Sequence, residues 1–173
     1  YPLTMHLIVD GYNVIRQSPR LQFLDVMDLQ AGREALLELL AQYRRRSHHQ
    51  ITVVFDGWQR GDLKESRDRH EGILVIYSRR GERADEVMKR LLTQERERAL
   101  VVTSDREIQV CAEQAKAAWI NAGEFELSHL HDPAEAADPD AEADSSDRGT
   151  RKKGPARRLS KRLRQRQQRL KKL

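Results

Sequence analysis

The sequence predicts a three-layer α/β domain on a mostly parallel sheet, followed by an acidic linker and a basic helix. Three observations carry this reading. Four short runs, HLIV at 6–9, ITVVF at 51–55, ILVIY at 73–77 and ALVVT at 99–103, are continuous and β-branched, as in strands covered on both faces. Segments of helical spacing lie between them, and such alternation implies βαβ units with right-handed crossovers. A length of 173 residues suits one domain with a core and some extra material, not two full domains.

Taken in order, HLIV runs straight into Asp10, with Gly11, Tyr12 and Asn13 behind it. Asp28 is placed to cap a helix whose apolar face is Leu29, Leu36, Leu40 and Tyr43, and Arg44 to Arg46 sit where the helix dipole favours cations. ITVVF ends in Asp56. The stretch GWQRGDLKESRDRH, 57–70, has no apolar periodicity and reads as a loop beside the strand ends. ILVIY leads through SRRGER to a helix from about Ala84 to Arg98, with Val87, Met88, Leu91 and Leu92 on one face. ALVVT continues through Ser104 to Asp105, the start of a helix carrying Ile108, Cys111, Ala112 and Ala115. AAWI at 117–120 is a weaker fifth strand, and NAGEFELSHL at 121–130 a last short helix. Residues 132–147, acidic and without large apolar side chains, read as a disordered linker. The expected organisation is a domain over 1–131, a linker over 132–150 and a tail over 151–173. In the tail, Leu159, Leu163, Leu170 and Leu173 share one face of a basic amphipathic helix that forms on its partner.

The net charge of +5 hides an asymmetry. Residues 148–173 hold 13 Lys or Arg and no acid, leaving 19 bases against 27 acids in the body, a charge of −8. A tail of +13 suits a polyanion such as nucleic acid or a ribonucleoprotein surface, with Arg157, Arg158, Lys161 and Arg162 as contacts. A solvated solubility tail is the alternative. The single cysteine, Cys111, excludes an internal disulfide and a cysteine-based zinc cluster, which fits a reducing, cytoplasmic setting. No run is long and apolar enough to span a bilayer.

An isolated carboxylate at the end of a buried strand is expensive to bury, and Asp10 is not isolated. Asp56 ends the ITVVF strand, Asp105 follows the ALVVT strand through Ser104, and Asp85 opens a helix after the ILVIY strand. In an open parallel sheet the carboxyl ends of the strands line one edge, where ligands bind. Converging carboxylates repel one another unless a cation joins them. Mg²⁺ takes oxygen ligands and is usually held by one or two carboxylates with substrate phosphate, which points to phosphodiester hydrolysis. Asn13 would orient a carboxylate, a water or a phosphate. Singly, each acid could instead cap a helix, and Asp85 and Asp105 stand where caps stand.

Other sites lack their parts. No Gly-rich phosphate cradle is present. A receiver-type acidic pocket would want a lysine after a late strand, where AAWINAG has none. His129 and His131, two apart, do not share a helical face. Trp58, Arg60, Lys64, Arg67 and Arg69 are candidates to stack on bases and meet phosphates of a single strand, Trp58 equally an anchor in the core. Arg79, Arg80 and Arg83 stand beside Asp85, better placed for phosphate.

DGYN after a buried strand, VVFDG, GERADE opening a helix and VVTSD, in that order over roughly residues 5–131, resemble the NYN domain family of PIN-like ribonucleases, most closely its YacP-like bacterial branch. The resemblance implies a Rossmann-like PIN fold and a Mg²⁺- or Mn²⁺-dependent endoribonuclease that leaves 5′-phosphate ends on single-stranded RNA. By motif match Asp10, Asp85 and Asp105 would bind the metal, with Asp56 close by and Asn13 and Ser104 supporting. Glu82 and Glu86 flank Asp85, and either could face the cleft. The resemblance further implies action on messenger RNA within the ribosome for some members of the branch. RNA over DNA comes from the resemblance; the residues alone reach a metal-dependent phosphodiesterase. The rival reading is a non-catalytic RNA- or ribosome-binding protein with the same fold.

Overall fold

The computed structural model describes residues 4–57, 65–131 and 161–173, and for 161–165 the backbone alone. In chain order the elements are β1 (His6–Asp10), α1 (Gly11–Gln17), α2 (Pro19–Met27), α3 (Leu29–Ser47), β2 (Gln50–Phe55), β3 (Ser66–His70), β4 (Ile73–Tyr77), α4 (Ala84–Glu95), β5 (Ala99–Val102), α5 (Arg106–Gln114), β6 (Ala118–Ile120), α6 (Ala122–His129) and α7 (Lys161–Leu170). The six strands form one sheet in the order β3-β4-β2-β1-β5-β6. Every neighbouring pair is parallel except β3–β4.

The unbroken apolar runs exist because both faces of the sheet are covered. Leu7, Val9, Val53 and Phe55 point into one core with Ile15, Leu21, Leu36, Leu40 and Phe125 of α1, α2, α3 and α6. Ile8, Val54 and Ile76 point into the other with Met88, Leu92 and Ile108 of α4 and α5. Alternate residues of one strand thus serve two layers.

Asp28 caps α3 as expected, accepting from the Gln30 N–H at 3.0 Å. Leu29, assigned to the apolar face of that helix, is instead 42% exposed at the first helical position, and Phe23, Val26 and Met27 of α2 are exposed as well. The expected loop over 57–70 ends in a strand: Ser66–His70 pairs antiparallel with β4 through a two-residue turn, Glu71 and Gly72, both at positive φ. As an edge strand wetted on both sides, it carries no apolar alternation to announce it. Ser18 and Pro19 start α2, the serine hydroxyl accepting from the Leu21 N–H at 3.3 Å.

The basic helix forms on the chain's own body. Leu170 and Leu173 pack against the α3-side core, and the Arg166 guanidinium lies 3.9 Å from the centre of the Trp119 ring while donating to the Trp119 carbonyl at 3.2 Å. Tyr43 donates its hydroxyl to the Leu173 carbonyl at 3.2 Å. Trp58, Arg60, Lys64, the acidic linker, Arg157 and Arg158 lie outside the described residues, as do the side chains of Lys161 and Arg162.

Candidate active site at the carboxyl edge of the sheet

The helices following β1 lie on one face of the sheet and the helix following β5 on the other, so the order reverses between these adjacent strands. A crevice at such a switch point is where open α/β sheets bind ligands. Asp10 ends β1 at that point, and Thr103, Ser104 and Asp105 follow β5 beside it.

The Thr103 hydroxyl, fully buried, donates to Asp10 Oδ2 at 3.0 Å and accepts the Asp105 N–H at 3.0 Å. One side chain therefore fixes the Asp10 carboxylate and the backbone of the next acid. Burial pushes the Asp10 carboxyl up to about 6, and the Asp105 charge pushes the same way, against the Thr103 hydrogen bond and Arg16. The Asn13 N–H also lies on the side of the carboxylate, too loosely to cap α1. Asp105, exposed, does cap α5, with Oδ1 accepting the Glu107 N–H at 2.9 Å. Asp85 is no cap; it is the second residue of α4, in the first turn where the helix dipole favours a negative charge. Asp56, half-buried, follows β2 on the other side of β1, with Ser78 Oγ 3.5 Å from its Oδ1.

The glycines after two of these acids have steric reasons. A Cβ on Gly11 would stand 2.3 Å from the Phe55 ring, and one on Gly57 1.8 Å from the Ser78 carbonyl oxygen. Ser78 Oγ accepts the Gly57 N–H at 2.9 Å and donates to the Glu82 carbonyl at 2.7 Å, joining the loops after β2 and β4. Asn13 and Ser104 staple loops as well: Asn13 Oδ1 accepts the Ser104 N–H at 2.7 Å, and Ser104 Oγ the Ala122 N–H at 3.3 Å.

Glu82 and Glu86 differ in their partners. Glu82 is buried and ion-paired with Arg90 and, at 3.5 Å, with Arg79 Nε, while Glu86 is exposed with Lys89 at 3.8 Å. Neither pairing directs a carboxylate at Asp10. Arg79, Arg80, Arg83 and Arg90 rim an open cavity of about 710 Å³ beside Asp85. Lys89 holds α4 to α5 through Glu107 at 2.7 Å. Thr103, Ser78, Arg16 and Arg90 were missed from the sequence; only Thr103, between a strand and Asp105 in VVTSD, carried a local cue.

Among the described residues, the trio of acid or imidazole ligand atoms that lies within 4.8 Å of one another is Glu38, His70 and Glu71, at the opposite end of the sheet. Arg45 already pairs with Glu71 there at 3.2 Å. Asp10, Asp85 and Asp105 share the carboxyl edge without forming such a closed trio.

The profile of the YacP-like NYN domain matches residues 7–172. The chain belongs to this family. A curated relative, the uncharacterized protein YacP of Bacillus subtilis (strain 168), is 32% identical over 85 residues, 49% of this chain and 49% of the relative. The match thus spans about half the length of that relative. The crystal structure of Rae1 (YacP) from Bacillus subtilis is similar with a TM-score of 0.57 and 29% identity, over 72% of each chain. The crystal structure of a point mutant of that same protein gives 0.62 and 26%, over 73% of this chain and 75% of the other. The YacP-like NYN domain therefore has the expected PIN-like fold and falls in a nuclease-like superfamily that is typically metal-dependent. Its matched range includes α7. Among the described residues no helix is long and apolar enough to cross a membrane.

Proposed function

We propose that this YacP-like NYN domain is a divalent-metal-dependent endoribonuclease that cleaves single-stranded RNA, ribosome-associated messenger RNA included, in the cytoplasm. The observation that carries this reading is the Asp10 carboxylate at the switch point of the sheet, fixed by the Thr103 hydroxyl at 3.0 Å beside Asp105, where burial and the Asp105 charge both disfavour its ionised form. A site built at that electrostatic cost accepts a cation readily, and an all-oxygen donor set suits Mg²⁺ or Mn²⁺. Asp10, Asp85 and Asp105 would hold the ion, with Asp56 assisting. Because they form no closed trio, water and substrate phosphate would complete the coordination. When bound, the ion makes water nucleophilic near neutral pH and offsets charge developing on the phosphate.

The chain's own residues supply the rest. Thr103 holds Asp10 in one orientation, Asn13 and Ser104 fix the loops around it, and Arg79, Arg80 and Arg83 offer guanidinium donors to phosphate. Trp58 and Arg60 would stack on and grip the strand after Asp56, and Arg157, Arg158, Lys161 and Arg162 would add salt-sensitive affinity for RNA or the ribosome.

The test is cleavage of labelled single-stranded RNA by the full chain and by Asp10→Asn, with Mn²⁺, Mg²⁺ or EDTA. The expected result is metal-dependent cleavage leaving 5′-phosphates, reduced at least ~100-fold in the variant, within the range that positioned catalytic groups supply. Binding without cleavage, by both proteins and on translating ribosomes too, would establish the non-catalytic binder instead.

A further inference from the structure

We infer that the α4-side face of edge strand β3 is a track for the phosphate backbone of a single-stranded nucleic acid running away from the carboxyl edge, an inference that rests on the nuclease function proposed above. The strand reads SRDRH, and its register sorts the charges. Arg67 pairs with Ile76 and Arg69 with Leu74, whereas Ser66, Asp68 and His70 pair with Tyr77, Val75 and Ile73. Directly paired residues share a face of the sheet. Ile76 and Leu74 belong to the α4 side, and Tyr77, Val75 and Ile73 to the α3 side. Both arginines therefore lie on the α4 face and the aspartate on the other.

That face is continuous with the cleft rim. Glu65 lies 3.5 Å from both Arg67 and Arg90, Arg90 pairs with Glu82, and Glu82 with Arg79. The carboxylates hold the guanidiniums in a row without neutralising it: Arg67, Arg69, Arg79, Arg80, Arg83 and Arg90 stand against four acids, Glu65, Glu82, Asp85 and Glu86. Arg67, Arg79 and Arg90 are 59%, 63% and 51% exposed, so their heads reach solvent.

Direction follows from the pairing. Ser66 meets Tyr77 at the carboxyl end of β4 and His70 meets Ile73 at the far end, so the row descends from the cleft. Alternate strand residues stand ~7 Å apart, comparable with successive phosphates of an extended single strand, and guanidinium forks suit phosphate oxygens. On the opposite face, Asp68, Glu34 and Glu38 outnumber Arg33, whose guanidinium is turned to the Tyr12 hydroxyl and the Tyr77 ring, and they would repel the same backbone.

The experiment compares Arg67→Glu/Arg69→Glu with wild type on two single-stranded RNAs sharing one cleavable sequence, one short enough to occupy only the cleft and one extended. The milder Arg67→Gln/Arg69→Gln guards against misfolding, checked by thermal melting. The track requires KM for the extended RNA to rise ~10-fold with kcat preserved, no change on the short RNA, and a binding slope against salt shallower by ~1.4 for two lost phosphate contacts. Asp68→Asn, on the other face, should stay within ~2-fold. Equal behaviour of both RNAs in the double variants, or an equal effect of Asp68→Asn, would overturn the track. Should wild type cleave nothing, binding of the extended RNA still decides: loss in the double variants supports the track without the nuclease, and unchanged binding removes both.

Discussion

Burial holds the Asp10 carboxyl up at about 6, against an ordinary value of 3.8. The folded protein therefore binds this proton more tightly than the unfolded chain. Stability from this group is complete below about pH 4 and declines as pH rises to about 6, by ~3 kcal/mol at most. Asp10→Asn removes the titration, so metal-free Asp10→Asn should resist urea better than wild type at pH 8, by ~1–3 kcal/mol. The gap should close toward pH 4, and Mn²⁺ should narrow it at pH 8 by stabilising wild type alone. Equal stability at pH 8 would mean that the charge is solvated and the electrostatic argument for a cation fails. Asp10 was legible in the sequence because an apolar run with no polar interruption drives into it. Thr103 was not, since threonine is an ordinary strand residue and only the pairing of β1 with β5 brings its hydroxyl to Asp10. Glu82 and Glu86 were inseparable for the same reason: the partner that tells them apart, Arg90, lies two helical turns along α4.

At the scale of elements, the long apolar runs and the capped helix α3 could be read directly, because each buries enough in one register to override its neighbours. The polar edge strand β3 could not, its one cue being the glycine of the Glu71–Gly72 turn. α7 was read as a helix but not as part of the body, since nothing in a basic amphipathic repeat says what covers its leucines. The structure covers them with the chain itself, so the helix stabilises the fold whatever else it binds. Removing residues 161–173 uncovers Trp119, leaves the Tyr43 hydroxyl without the Leu173 carbonyl and His49 Nε2 without the Lys172 carbonyl, and strips Leu170 and Leu173 from the core. The truncated chain should lose ~2–4 kcal/mol, the sum of one cation–π contact and two partly buried apolar side chains. Trp119 emission should shift to the red. An unchanged melting temperature with unchanged emission would mean that α7 is undocked in solution.

For the whole molecule, charge and chemistry are divided. The chain through residue 147 carries −8 and would repel a polyanion at long range, yet its carboxyl edge and the β3–α4 face gather six arginines, and residues 148–173 carry +13. Salt acts on these parts differently, because screening weakens distant repulsion while each neutralised phosphate releases counterions. If the six arginines each meet one phosphate, the logarithm of the RNA binding constant should fall with the logarithm of salt at a slope of about −4, near −0.7 per contact for a single strand. Basic residues of the tail that also engage make it steeper. Measured in EDTA, so that binding is separated from cleavage, a slope between about −4 and −8 fits a substrate gripped along its backbone. A slope near zero would require recognition by stacking alone, and the arginine rim would then serve only to hold Glu82 and Glu65 in place.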